Sequence, residues 1–335
     1  MSHEMYENDT AMYANGEAAW HGLGTVVEHS PSPAEALRLS GLDWKVVKSP
    51  SIIAEYENED GEIEDAISTK NVATIRQDTG DILGLVSPSY QVVQNEELFD
   101  IAYELGADVR VETAGSLDNN KKIYIMLRGD TFDVSSSNDS VTQYLGLFNS
   151  FNGTLSLSGL PTSIRVVCAN TLNMALSQGG RNLYRIKHTG EMTEKIADLR
   201  RALKRFRETG SLFQEKVETM SHRLLSYADI QNFWVRVYTE TQEQFTSNPI
   251  TDKEERATVK AAQTIAEWSN IFDKERSEHG LEASAWVAAN SVTNWLQHRE
   301  GSRGRKMSDN SRIHNNLIGK AADASSQVMK MALSV

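Results

Sequence analysis

The chain has 335 residues, 39% hydrophobic and 24% charged, with six prolines and one cysteine. That length holds two domains with a buried core, and the composition excludes a disordered, collagen-like or disulfide-framed molecule. The formal net charge of -12 averages two unlike halves: residues 1–150 carry 26 acidic and 9 basic side chains, whereas residues 151–335 carry 20 and 25.

Met1-Ser2-His3-Glu4-Met5-Tyr6-Glu7 has neither the basic nor the apolar region of a secretory leader. No stretch approaches the ~20 apolar residues that span a bilayer, so a cytoplasmic protein without a membrane partner is expected. Residues 1–30 read as an extended N-terminal arm. Ser32 as N-cap, Pro33 in the first turn, Glu35 closing a capping box and Gly41 as a stop then predict a short helix. Strands are predicted at 44–47, 51–56, 66–76 and 82–86, with turns at Asn58-Glu59-Asp60-Gly61 and Asp78-Thr79-Gly80-Asp81. Leu98, Ile101, Ala102 and Leu105 share one face of a helix over 96–105. Further strands follow at 109–113, 122–127, 141–148 and 163–167, and Asn170-Thr171 reads as the cap of a helix over 172–176. Hairpins outnumber crossover helices, so residues 31–190 are expected to form an α+β core domain with a mostly antiparallel sheet. Beyond 190 the apolar period becomes 3.6. Stripes such as Ile196/Leu199/Leu203/Phe206, Ala261/Ile265/Trp268/Phe272 and Trp286/Ala289/Val292/Leu296, and a last helix over 313–333, predict an all-helical part over 191–335.

No phosphate loop, dinucleotide fingerprint, His-Glu-x-x-His motif or cysteine pair is present, and the eight histidines lack ligand-like spacing. The sequence therefore predicts no enzyme, no cofactor and no metal. Cys168, in an apolar run, reads as core. Asn149-Ser150-Phe151-Asn152-Gly153-Thr154 reads as a structural turn. The positive signal is electrostatic: residues 151–207 hold 10 basic and 3 acidic side chains. Arg181, Arg185 and Lys187 alternate around Tyr184, and Arg200, Arg201 and Lys204 follow on a predicted helix. Cations interleaved with a ring suit a groove that tracks a phosphate backbone and stacks a base. The same pattern also suits a solvated helix face, or a docking site for the acidic half.

Five ordered segments resemble a known family. They are Trp20-His21-Gly22-Leu23-Gly24, Ser89-Tyr90-Gln91-Val92-Val93-Gln94-Asn95, 164–172, Lys187-His188-Thr189, and 284–290 continuing to His298. Together they are similar to the phage/plasmid-like protein family, a domain of unknown function carried on phages, plasmids and integrated elements. Members often have Asn-Ser-His-Asp-Gly-Ser where this chain has Asn149-Ser150-Phe151-Asn152-Gly153-Thr154. The histidine and aspartate are missing, while the turn-forming glycine is kept. At the level of fold, the first 190 residues look like the core of phage single-strand annealing proteins, which hold a strand in the basic groove of a ring or filament.

These readings combine into one expectation: a non-enzymatic, homo-oligomeric protein of a mobile element that binds single-stranded DNA and assists recombination or replication. Arg165, Arg181, Arg185 and Lys187 would contact phosphates, Tyr184 would stack, and Lys121 and Lys122 would contribute from a hairpin tip. Arg200, Arg201 and Lys204 would extend the surface. The alternative is an acidic protein-binding module such as a counter-defence factor. An enzyme acting through His21 or His188 is a third reading, with no identifiable base or metal partner for either ring.

Overall fold

The computed structural model describes residues 10–14, 25–68, 70–104, 110–134, 139–165, 170–173, 184–203, 206–245, 254–298 and 320–335. It is α+β. Thirteen strands and eight helices are formed among these residues.

The strands are β1 (Ala11–Ala14), β2 (Thr25–Val27), β3 (Val46–Lys48), β4 (Ile52–Glu57), β5 (Ile63–Ser68), β6 (Val72–Arg76), β7 (Ile82–Val86), β8 (Arg110–Leu117), β9 (Lys122–Val134), β10 (Asp139–Ser150), β11 (Leu157–Arg165), β12 (Asn170–Asn173) and β13 (Tyr184–Ile186). The main sheet runs β12-β11-β10-β9-β8-β1-β2, and β13 pairs with β11. Its β1–β2 pair is parallel, whereas the β1–β8, β8–β9, β11–β12 and β11–β13 pairs are antiparallel. Smaller antiparallel sheets, β3-β6-β7 and β4-β5, complete the set. The helices are α1 (Pro33–Leu39), α2 (Asn95–Glu104), α3 (Met192–Leu203), α4 (Phe206–Ser221), α5 (Tyr227–Phe245), α6 (Glu254–His279), α7 (Ala285–His298) and α8 (Lys320–Ala332).

The chain divides into two compact units. The first comprises 1–129, 145–160 and 183–206; the second comprises 130–144, 161–182 and 207–335. In the first, α1 starts as its sequence dictates, with the Ser32 hydroxyl accepting from the Glu35 N–H at 3.3 Å. Its core gathers Met12, Leu42, Leu83, Leu98 and Phe151, with Trp44 tilted against Phe151 at 5.5 Å between centroids. Three consecutive left-handed residues, Asp118, Asn119 and Asn120, turn β8 into β9; short polar side chains tolerate that conformation best.

The second unit is built on tryptophans. Trp234, Trp268 and Trp286 are fully buried, and Trp234 meets Phe272 edge-on at 5.5 Å. The Trp234 Nε1 donates to the Ala288 carbonyl at 3.0 Å, and the Trp286 Nε1 to the buried Asp139 carboxylate at 2.9 Å. Helix α7 is buried along nearly its whole length.

Several expectations change. The stretch expected as one strand over 66–76 is two, β5 and β6. Residues 170–173 form β12, antiparallel to β11, where a capped helix was expected; four backbone pairings along a sheet edge outweigh the weak propensity of so short a helix. Phe206 begins α4 and does not end the α3 stripe. The C-terminal part is not purely helical. An antiparallel bridge joins Leu224 to Ser284, and the unit that holds most of α4 and all of α5 to α8 also takes in β12 and parts of β9, β10 and β11. No helix among the described residues is long and apolar enough to cross a membrane.

Candidate nucleic-acid interface

The described part of the basic run, residues 184–203, folds within the first unit. Strand β13 pairs antiparallel with β11 in the register Tyr184↔Gly159, Arg185↔Ser158 and Ile186↔Leu157. Strand alternation leaves Tyr184 and Ile186 half-buried and turns Arg185 to solvent. Gly190, at φ 70°, then reverses the chain into α3. Ile196, Leu199 and Leu203 form the buried face of that helix. It can lie close to β11 because Gly159 has no side chain: a Cβ there would stand 2.7 Å from Leu203 Cδ2.

Between β13 and α3 runs a cleft of about 480 Å³, lined by Tyr184, Arg185, Ile186, Lys187, Thr189, Lys195, Asp198 and Leu199. Arg185 and Lys187 are exposed, and the Lys195 ammonium donates to the Thr189 carbonyl across the mouth of the turn. The carboxylate of Asp198 accepts from Arg201, one helical turn on. The lining thus combines three cations, a tyrosine ring and an apolar floor. It can hold an anionic chain by charge and a planar group by stacking.

The tail of β13 is fastened at His188. The Gln91 N–H donates to the His188 carbonyl at 2.8 Å, and the His188 ring is 2.9 Å from the Gln91 carbonyl through Nδ1. A carbonyl can only accept, so Nδ1 carries the proton. Nε2 is buried without a hydrogen-bond partner among the described residues. The ring stacks on Tyr90 at 4.7 Å between centroids, and the Tyr90 hydroxyl donates to the Ser150 carbonyl. Burial pushes the His188 pKa down, opposed by the bond to Gln91, and burial raises that of Tyr90. His188 is therefore a clamp that positions Lys187 and Arg185.

The other expected contacts distribute unevenly. Arg200 points to Glu104 of α2 at 3.1 Å, and Arg201 is engaged by Asp198, so much of their charge is already compensated. Lys121 and Lys122 sit at the β8–β9 turn, where Lys122 reaches Asp118 at 3.3 Å; neither lines the cleft. Arg181, Lys204 and His21 lie outside the described residues, as does the side chain of Arg165, whose backbone ends β11 opposite Asn170. Lys195 and Thr189 were not anticipated. The signal for Lys195 is the turn glycine at 190, which folds the first turn of the next helix back over β13. Among the described residues no cluster of His, Cys, Asp and Glu could hold a metal ion.

Residues 82–317 match the family described as a domain of unknown function, DUF932. The chain belongs to the DUF932 family. The matched span takes in more than two thirds of the sequence, including β13, α3 and the whole cleft, and leaves out β1 to β6. The chain matches no curated protein and no solved structure. The DUF932 description names no activity, so what the cleft binds is argued from its chemistry.

Proposed function

We propose that this DUF932 protein is a non-enzymatic, single-stranded nucleic-acid-binding protein of a phage or other mobile element, working as a homo-oligomer in the host cytoplasm in an annealing-like role during recombination or replication. The observation that carries this reading is the cleft itself, where Arg185, Lys187 and Lys195 surround Tyr184. Spaced cations follow a backbone without regard to sequence, and a half-buried ring offers one stacking platform. The test is fluorescence anisotropy with a labelled single-stranded oligonucleotide, its duplex and an uncharged peptide at low salt. Binding that prefers the single strand and is lost in the Arg185→Ala, Lys187→Ala, Lys195→Ala variant supports the reading. Absence of binding at low salt, or an unaffected variant, overturns it.

A second reading has its own observation. The β4–β5 hairpin is acidic and solvent-exposed along its length, which suits an acidic module that captures a host protein. A single host protein retained stoichiometrically, and released when the hairpin carboxylates are removed, favours this alternative.

A further inference from the structure

Strands β3, β4, β5 and β6 form one long ribbon. Val46 pairs with Arg76 near the core, Ser49 donates its N–H to the Ala73 carbonyl, and beyond a break the pairing resumes from Ile52↔Ser68 to Glu57↔Ile63. The inner part joins β7 in a three-stranded sheet. The outer part is a two-stranded arm about 20 Å long by strand rise, exposed along nearly all of its length. Isolated two-stranded hairpins are marginal in water, and sheet edges left open invite pairing.

The two faces of the arm differ. Residues directly opposite each other share a face, so Ile53 with Ile67, Glu55 with Asp65, and Glu57 with Ile63 lie together on one side. That side exposes three isoleucines, at 60%, 64% and 68% for Ile53, Ile67 and Ile63. It also sets the Glu55 and Asp65 carboxylates directly opposite each other, a destabilising arrangement. No Lys or Arg occurs between 49 and 69, and neither carboxylate forms an ion pair among the described residues. On the other face the charge is accommodated locally: Glu64 accepts from Tyr56 and Asn58, each at 2.9 Å, which lowers its pKa. One face is therefore finished, while the other offers apolar surface with uncompensated negative charge.

The complement of that face is the β13–α3 cleft, with Arg185, Lys187 and Lys195 around the apolar Ile186 and Leu199. We propose that the arm of one copy of this chain docks by its Ile53–Ile63–Ile67 face into the β13–α3 cleft of a second copy. Carboxylates meet cations, and Ile63 at the arm's tip covers the apolar floor. Arm and cleft are different surfaces, so the contact is head-to-tail and repeats into a ring or filament. Docking occupies the cleft that the nucleic-acid reading uses, so a bound strand and a docked arm compete there. This second consequence rests on that reading; the docking itself does not.

Full-length chains with reciprocal charge reversal provide the test, using size exclusion with light scattering at about 50 and about 500 mM salt. One variant carries Glu55→Lys, Glu57→Lys and Asp65→Lys; the other carries Arg185→Glu, Lys187→Glu and Lys195→Glu. The wild type is expected to assemble at low salt and fall to monomer at high salt, and each variant alone is expected to stay monomeric. An equimolar mixture of the variants recovers the assembly, because both pairings are again opposite in sign. If the arm variant fails to fold by circular dichroism, Ile63→Ser with Ile67→Ser replaces it, with loss of assembly expected. A wild type that stays monomeric, variants that assemble like wild type, or a mixture that stays monomeric overturns the proposal. The same holds if the wild type stays monomeric and a host protein occupies the arm. Titrating single-stranded DNA into the same samples separates the two ideas. A monomeric wild type that binds DNA sinks the docking and leaves cleft binding of a strand; an assembling wild type whose Ile63→Ser, Ile67→Ser variant, with the cleft left open, still binds none does the reverse.

Discussion

The salt dependence of strand binding follows quantitatively from the cleft. Three cations line it, Arg185, Lys187 and Lys195, whereas Arg200 outside it is held by Glu104. Each phosphate neutralised on a single strand releases about 0.7 counterion, so three contacts give a slope of log affinity against log salt near -2.1. Raising salt fourfold, from about 50 to about 200 mM, then weakens binding about 20-fold. Replacing one cleft cation by alanine flattens the slope by about 0.7 and cuts that loss to about 7-fold. Arg200→Ala, which removes a charge already compensated, leaves the slope within error of wild type. The assay is oligonucleotide anisotropy over four or more salt concentrations for wild type, the three single alanine variants and Arg200→Ala. If the cleft variants share the wild-type slope, or Arg200→Ala flattens it as much as they do, the cleft does not track the backbone and the reasoning fails.

Tyr184→Ala is expected to weaken single-strand binding by about 1–3 kcal/mol with an unchanged salt slope, whereas Tyr184→Phe keeps the ring and the affinity; equal losses in both would deny stacking. For His188 the pKa is depressed below its ordinary 6.5 by burial, so the unfolded chain takes up a proton first as pH falls. Stability is full above about pH 6.5 and declines as the pH drops from there toward the lowered pKa. Urea midpoints against pH should show this component in wild type and lack it in His188→Gln; parallel curves would contradict it. A Cβ at position 84 would stand 2.5 Å from the Asn152 Cα, so Gly84→Ala should lower stability by about 1–3 kcal/mol in thermal melts. Trp286→Phe removes the indole donor from buried Asp139 and should cost about 1–3 kcal/mol, read as a lower denaturant midpoint with the same m-value.

What could be read from the sequence was local. The start of α1 is written in Ser32, Pro33 and Glu35, and the apolar spacing of α6 places Trp268 and Phe272 on its buried face, whereas α7 is buried at its polar positions too. Tyr184, Arg185 and Lys187 were legible as a cluster because a strand displays them within four residues. What escaped was non-local. The pairing of Arg200 with Glu104 joins residues far apart in sequence, so no charge count over 151–207 could reveal that this arginine is already compensated. Asn170-Thr171 carries the signature of a helix cap, and only the neighbouring edge of β11 makes a strand of it. Glu55 to Asp65 flank the turn expected at Asn58-Glu59-Asp60-Gly61, but the isoleucines interleaved with those carboxylates become visible as a surface only when the register of the ribbon is known.

That ribbon has a consequence for how the molecule can vary. The arm leaves and re-enters the fold at one place, where Ser49 and Ala73 already face each other through two hydrogen bonds. A chain that turned from residue 50 back to residue 72 would still close β3 against β6 and keep Val72 paired with Val86 of β7. The arm is thus a cassette: it can be shortened, lengthened or exchanged for another hairpin without redrawing the scaffold beneath it. The stretch of the chain best placed to change partners is the one whose replacement the rest of the fold would register least.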